Sequence, residues 1–220
     1  MRIRDVLGIS ERNQKRATRM MELSLVGMLF IGLDRLNLGI VVNATVGLAV
    51  VQLPAILERD YQIPMDPALT LWITSAVFLH ALGTVGVPGS RYSFYETLWW
   101  WDHLTHALSA SVVAAAGYAT VRAVDRHNDR IYLPPRFTFV FVLLITIAFG
   151  VFWEVLEFAI AQASALVGST SVLTQYGLGD TMLDLVFDVV GAVIVATWGT
   201  VYLTDVVGAL ATRLSARAER

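Results

Sequence analysis

Long apolar runs separated by short polar links organise this chain. They lie at roughly 20–36, 38–57, 68–86, 100–122, 136–162 and 180–204, each near the ~20 apolar residues that a helix needs to cross a bilayer. Within them the apolar positions neither alternate nor keep to one narrow stripe, so the runs read as helices apolar on most sides. The first is the shortest, because Asp34 and Arg35 close it and only a tight link leads into the second. Glu58, Arg59 and Asp60, followed by Pro64 and Pro67, separate the second run from the third. Pro88-Gly89 and Pro134-Pro135 break the chain before the fourth and fifth, and Gly177 and Gly179 punctuate the entry to the sixth. No segment repeats at a fixed period. The pattern predicts an all-α fold, a polytopic transmembrane helical bundle of about six spans, forming one integral membrane domain over residues 1–220.

Composition agrees with this architecture and adds direction. Hydrophobic residues make up 56% of the chain, the mean hydropathy is +0.62, and only 15% of residues are charged, against about 25% in soluble domains. The lipid bilayer is therefore the expected partner, and a multi-pass position in the cell membrane the expected location. The net charge is -2 and no large basic face exists, which argues against nucleic acid. The chain has no cysteine, so disulfides, thiolate metal ligands and a cysteine nucleophile are all excluded. Residues 1–19 hold six basic side chains and are too long and too polar for a cleavable signal peptide; they read as a cytosolic flank. With six spans and both termini cytoplasmic, fourteen of the sixteen basic residues fall on the cytosolic side, leaving Arg35 and Arg91 outside. That split is what the positive-inside rule requires. Trp99, Trp100 and Trp101, preceded by Tyr92, Phe94 and Tyr95, read as an outer aromatic belt where the fourth span enters.

Against this apolar background the ionisable residues inside the runs carry the candidate chemistry. They are Asp102, His103 and His106 in the fourth run, Glu154 and Glu157 in the fifth, and Asp180, Asp184 and Asp188 in the sixth, with His80 in the third. At about 1.5 Å of rise per residue, the four groups fall at depths of about 3–12 Å from the outer boundary. Residues three or four apart share a helix face, so Asp102 with His106, Glu154 with Glu157, and the Asp180–Asp184–Asp188 ladder each project from one side. His103, about 100° around the helix from Asp102, is a weaker member. Charged groups inside a membrane normally face a bundle interior or a water-filled site, which predicts one convergent acidic centre. The outer side holds eight acids, and even with His80, His103 and His106 protonated a negative surplus remains. Packed carboxylates either take up protons or bind a cation. A Glu/Asp/His set without Cys suits a divalent metal, with Zn, Mn, Fe and Mg not distinguished by the ligands. The candidate ligands are His80, His106, Glu154, Glu157, Asp180, Asp184 and Asp188, and the candidate catalytic groups are Asp102 and Glu154. Asp180 also suits a helix N-cap.

Several of these segments resemble the YjdF-like family of uncharacterised integral membrane proteins: His80-Ala81-Leu82-Gly83, Trp101-Asp102-His103-Leu104-Thr105-His106, Trp153-Glu154-Val155-Leu156-Glu157, and Gly179-Asp180-Thr181 through Asp184, Asp188, Gly191 and Ala192. The likeness covers about residues 30–195. The last two blocks also look distantly like the VanZ-like family. The resemblance implies a membrane fold and supports His80, Asp102, His106, Glu154, Glu157, Asp180 and Asp184 as polar positions; His103 and Asp188 fall where the family is expected to vary. It implies no reaction.

Two functional classes follow. One is a metal-dependent hydrolase or transferase opening toward the outer leaflet and acting on a lipid or lipid-linked headgroup. There Glu154, Glu157, Asp184 and His106 hold the metal and Asp102 serves as general base. The other is a proton- or cation-coupled transporter using the same carboxylates. A non-enzymatic membrane protein with a structural metal is the third, blander reading.

Overall fold

The computed structural model describes residues 9–218 apart from Pro88, Arg91, Asp129, Thr170 and Thr174. Arg2, Arg4, Arg91 and Arg220 of the sidedness argument lie outside the described residues, as does Pro88 of the break before the fourth run. Every described regular element is a helix: α1 (Glu11–Asp34), α2 (Leu38–Val50), α3 (Leu53–Tyr61), α4 (Pro67–Gly83), α5 (Phe94–Thr97), α6 (Trp101–His127), α7 (Pro135–Leu166), α8 (Leu178–Tyr202) and α9 (Thr204–Ala218).

Local chemistry sets several of the starts. The Ser10 hydroxyl accepts from the Asn13 amide at α1, Asn37 accepts from Ile40 at α2, and Asp66 accepts from Leu69 at α4, where Pro67 occupies the first turn. Ser93 and Glu96 form a reciprocal capping box on α5. Gly177, with φ at +108°, turns the chain into α8 without the penalty a side chain would meet there.

Among the described residues, four helical stretches are long and apolar enough to cross a membrane: Leu38–Tyr61, Trp101–His127, Pro135–Leu166 and Leu178–Gly199. They carry the runs expected at 38–57, 100–122, 136–162 and 180–204. The run at 68–86 falls on α4, an apolar helix of 17 residues. The run at 20–36 falls on the second half of α1, whose first half carries the basic flank. The helix α9 follows the last run and was not foreseen. It folds back on α6, where His127 Nδ1 lies 2.9 Å from the Ser215 hydroxyl, and it buries Val206 and Val207.

The centre of the molecule is α6, which packs against α4, α7, α8 and α9. Its most extensive seam is with α8. The seam is lined by small residues, which let backbones approach closely where lipid provides no hydrophobic push. A methyl group at Gly191 would overlap the Ala107 carbonyl oxygen and come within 3.0 Å of the Ser111 amide nitrogen. Two apolar clusters complete the core. One joins α4, α6, α7, α8 and α9 around Leu69, Ala114, Tyr118, Val142 and Val195. The other joins α1, α2 and α4 around Leu25, Met28, Ile40 and Ala81.

Candidate metal centre

Close packing of α6 and α8 brings acidic and imidazole side chains together in a regular ladder. His103 Nδ1 lies 3.1 Å from Asp184 Oδ1, and His106 Nδ1 lies 3.3 Å from Asp188 Oδ1. One turn on, Gly191 meets Ala107 and Ser111, so contact positions advance together along both helices and the two run parallel. The other nitrogen of His106 also faces carboxylates. Its Nε2 lies 3.7 Å from Asp102 Oδ1 and 3.9 Å from Glu154 Oε1, which brings α7 into the same site. Asp102, His106 and Asp184 each present a donor atom within 4.8 Å of the others. This buried Asp/His/Asp group has the ligand types and the spacing to hold a metal ion.

The surroundings of the group are those of a built site. A carboxylate only accepts, so in neutral His106 the Nδ1–H points to Asp188 and the Nε2 lone pair faces Asp102 and Glu154. Carboxylate–histidine pairs of this kind fix the ring and tautomer of a metal ligand. His103 orients Asp184 in the same way and is itself stacked on Phe187, with ring centroids 4.7 Å apart. Glu154 is only 4% exposed, and neither of its oxygens has a hydrogen-bond partner among the described residues. Asp188 Oδ2 is likewise sealed and unpartnered. Buried polar atoms are rarely left so. Five carboxyls, those of Asp102, Glu154, Glu157, Asp184 and Asp188, stand against two imidazoles, so a cation or several protons must balance the centre.

The position of Asp188 depends on Gly150. A methyl group there would overlap Asp188 Oδ2 and come within 3.2 Å of Leu185. Gly150→Ala is therefore expected to swing the Asp188 carboxylate away from His106 while the helices stay in place. Metal affinity should fall by about 10-fold, at the low end of what losing such a partner costs. Isothermal titration with Mn²⁺, read beside the thermal melting point, checks this.

Of the residues expected from sequence, Asp102, His106, Glu154, Asp184 and Asp188 meet directly. Glu157 is buried at the edge of the group, its Oε1 accepting from the Trp153 indole at 3.0 Å. Asp180 stands apart from the donor group: its Oδ2 accepts from the Tyr176 backbone amide at 3.0 Å and ties down the entry to α8. His80 is also outside the donor group, with its Nδ1 2.9 Å from the Tyr95 hydroxyl. His103, placed low by its angle from Asp102, is a central partner; it lies three residues from His106, and that spacing puts both on the face that meets α8. Tyr95, Trp153 and Tyr176 were missed as site neighbours. Trp99 and Trp100 are exposed as a belt would be, but Trp101 turns inward and donates its indole N–H to the Leu79 carbonyl at 3.2 Å. Tyr176, in the loop before α8 and half-exposed, has its phenol pushed up by partial burial and by the charges of Glu96, Asp102, Asp180 and Glu157.

Residues 17–205 match the family described as predicted membrane protein, DUF2238. The chain belongs to that family. It is also similar to an uncharacterized protein of Thermotoga maritima, at 30% identity over 138 residues. That alignment covers 63% of this chain and 65% of the relative, a little under two thirds of the relative's length. No solved structure matches the chain. The DUF2238 match supports the broader part of the resemblance drawn from the motifs, a family of membrane proteins; the YjdF-like and VanZ-like names rest on the motifs alone.

Proposed function

We propose that this DUF2238 protein binds a divalent metal at Asp102, His106 and Asp184 and uses it to act on a lipid or lipid-linked headgroup, as a hydrolase or transferase. The observation that carries the reading is the donor group itself, inside an apolar bundle, with the second nitrogen of His106 held by Asp188. In this reading Asp102 is a ligand rather than the base, and Glu154, 3.9 Å from His106 Nε2, closes the ligand set. In this reading the chain crosses the cell membrane six times with both termini cytoplasmic, and the centre opens to the outer leaflet. The distribution of Arg and Lys along the chain supports that direction.

A divalent metal held by Asp102, His106 and Asp184 would supply Lewis acidity, making a water there easier to deprotonate and the ester easier to attack. Glu157, steadied by Trp153, accepts the proton of the attacking water. The oxygen of that water bonds to the phosphorus or carbonyl carbon of the headgroup ester. The bond to the leaving oxygen breaks, and that oxygen takes the proton back from Glu157. An acceptor hydroxyl in place of water makes the same sequence a transfer.

A lipid substrate is supported by an apolar groove of about 590 Å³ on the neighbouring face of α6, within the usual range for ligand sites. Leu104 and Ala107 line it, in the same turns as His103 and His106, and it continues past Trp72 and Ile194 to Leu203. A coupled transporter would need a polar path to the cytosol. From Phe137 to Trp153, α7 has no ionisable residue, which favours a centre closed toward the cytosol.

Metal analysis of the purified protein tests the reading. The wild type is expected to hold about one divalent ion per chain. Glu154→Gln should lower affinity by at least the ~10–100-fold that follows loss of an outer partner. A wild type with no stoichiometric metal would sink the proposal.

A further inference from the structure

His80 is half-buried in a chain of aromatic contacts that ends on Glu157, and nothing in the donor group uses it. The Tyr95 hydroxyl lies 2.9 Å from His80 Nδ1 and 3.2 Å from the His80 carbonyl oxygen, so the phenol grips both the ring and the backbone of that residue. The imidazole in turn meets the Trp153 indole edge to face, with centroids 5.7 Å apart and planes at 78°. Trp153 spends its single N–H on Glu157 Oε1 at 3.0 Å, one helical turn along α7. The contacts thus run from α5 through α4 to α7 and stop at a carboxylate.

Gly83 belongs to the same arrangement. A methyl group there would overlap the Tyr95 ring and come within 2.7 Å of Trp101 Nε1. The bare backbone at Gly83 is the seat of the Tyr95 ring, three residues beyond the histidine that the phenol holds. That accounts for both polar and glycine positions of His80-Ala81-Leu82-Gly83 without a metal.

We infer that His80 and Tyr95 are positioning residues, holding Trp153 so that its indole fixes the Glu157 carboxylate beside the metal centre. The inference rests on the metal reading above and assigns His80 a role other than ligand. An unfixed Glu157 would sample several rotamers, and only some would meet the metal's water. Partners of this outer kind typically change metal affinity or activity by about 10–100-fold when removed.

The test is a Mn²⁺ titration of the detergent-purified full chain, read by the loss of the free-ion signal in electron paramagnetic resonance, beside the melting point of the metal-free protein. Wild type, Trp153→Phe, Tyr95→Phe and His80→Gln are compared. All three variants are expected to keep the wild-type stoichiometry, with Kd raised about 10-fold and the metal-free melting point unmoved. Adding Tyr95→Phe to Trp153→Phe should change nothing more, because both act through one carboxylate. Tyr95→Phe removes a single oxygen and keeps the test open if the indole variant does not fold. Unchanged Kd in Tyr95→Phe, or effects that multiply in the double variant, would overturn the inference while leaving the metal reading intact. Loss of stoichiometric binding in His80→Gln would make His80 a ligand and overturn it as well. A wild type that binds no Mn²⁺ removes both readings together.

Discussion

Asp184→Asn is expected to abolish stoichiometric metal binding while the protein remains folded. Asp184 is 1% exposed, supplies one of the three converging donors, and is oriented by His103 at 3.1 Å. An asparagine keeps the shape and the partner but gives up the charge that a divalent ion needs. The sign of the stability change should depend on metal. Without metal the substitution removes one negative charge from a crowded set of five carboxyls, so the variant should melt no lower than the wild type. With metal in excess only the wild type gains the binding energy, about 2.7 kcal/mol at one hundred times Kd. Melting curves with chelator and with Mn²⁺ should therefore reverse the order of the two proteins. A variant that melts below the wild type in chelator would mean that Asp184 supports the helices rather than a cation.

Gly191→Ala is expected to be strongly destabilising, because it alone among the described helical glycines would drive a methyl group into a backbone carbonyl oxygen of another long helix. The added carbon would meet backbone atoms of α6, the Ala107 carbonyl oxygen and the Ser111 amide. Backbone cannot rotate away as a side chain can, so α6 and α8 must part. Overpacking of this kind costs about 1–3 kcal/mol, and more where nothing yields. The same movement stretches the His103–Asp184 and His106–Asp188 pairs, so metal affinity should fall together with the melting point. Gly27→Ala is the matched control. Nothing lies within 4 Å of a methyl group there, and alanine is favoured over glycine in a helix by about 1 kcal/mol. Equal melting points for the two variants would show that the seam is looser than these contacts imply.

The helices were legible in the sequence because apolar run length, proline breaks and capping residues are local properties. The runs at 38–57, 100–122, 136–162 and 180–204 lie on the four helical stretches able to cross a membrane. The run at 20–36, cut short by Asp34 and Arg35, lies on the second half of α1, which ends at Asp34. The helix α9 was missed because Val206 and Val207 are too few to read as a buried face until α6 is placed beside them. The membership of the site was legible in part. Spacing of three and four residues assigned Asp102, His106, Glu154, Asp184 and Asp188 to inward faces, and these residues meet. Measuring His103 from Asp102 instead of from His106 hid its place. Depth drew in His80 and the four-residue ladder drew in Asp180, but the two are taken up by Tyr95 and by the Tyr176 amide.

By itself, the sequence determined that this is a helical membrane protein, with its costly charges confined to one face of each of three helices. Bilayer thickness and helix periodicity act on residues close together in the chain, so their consequences can be read there. Only the tertiary structure decided which charges touch. That choice depends on how far α6 and α8 approach and how each is rotated, and the space left by Gly191 and Gly150 sets both. Whether an imidazole faces a carboxylate of the donor group or a phenol outside it is a matter of a few ångströms between helices far apart in sequence.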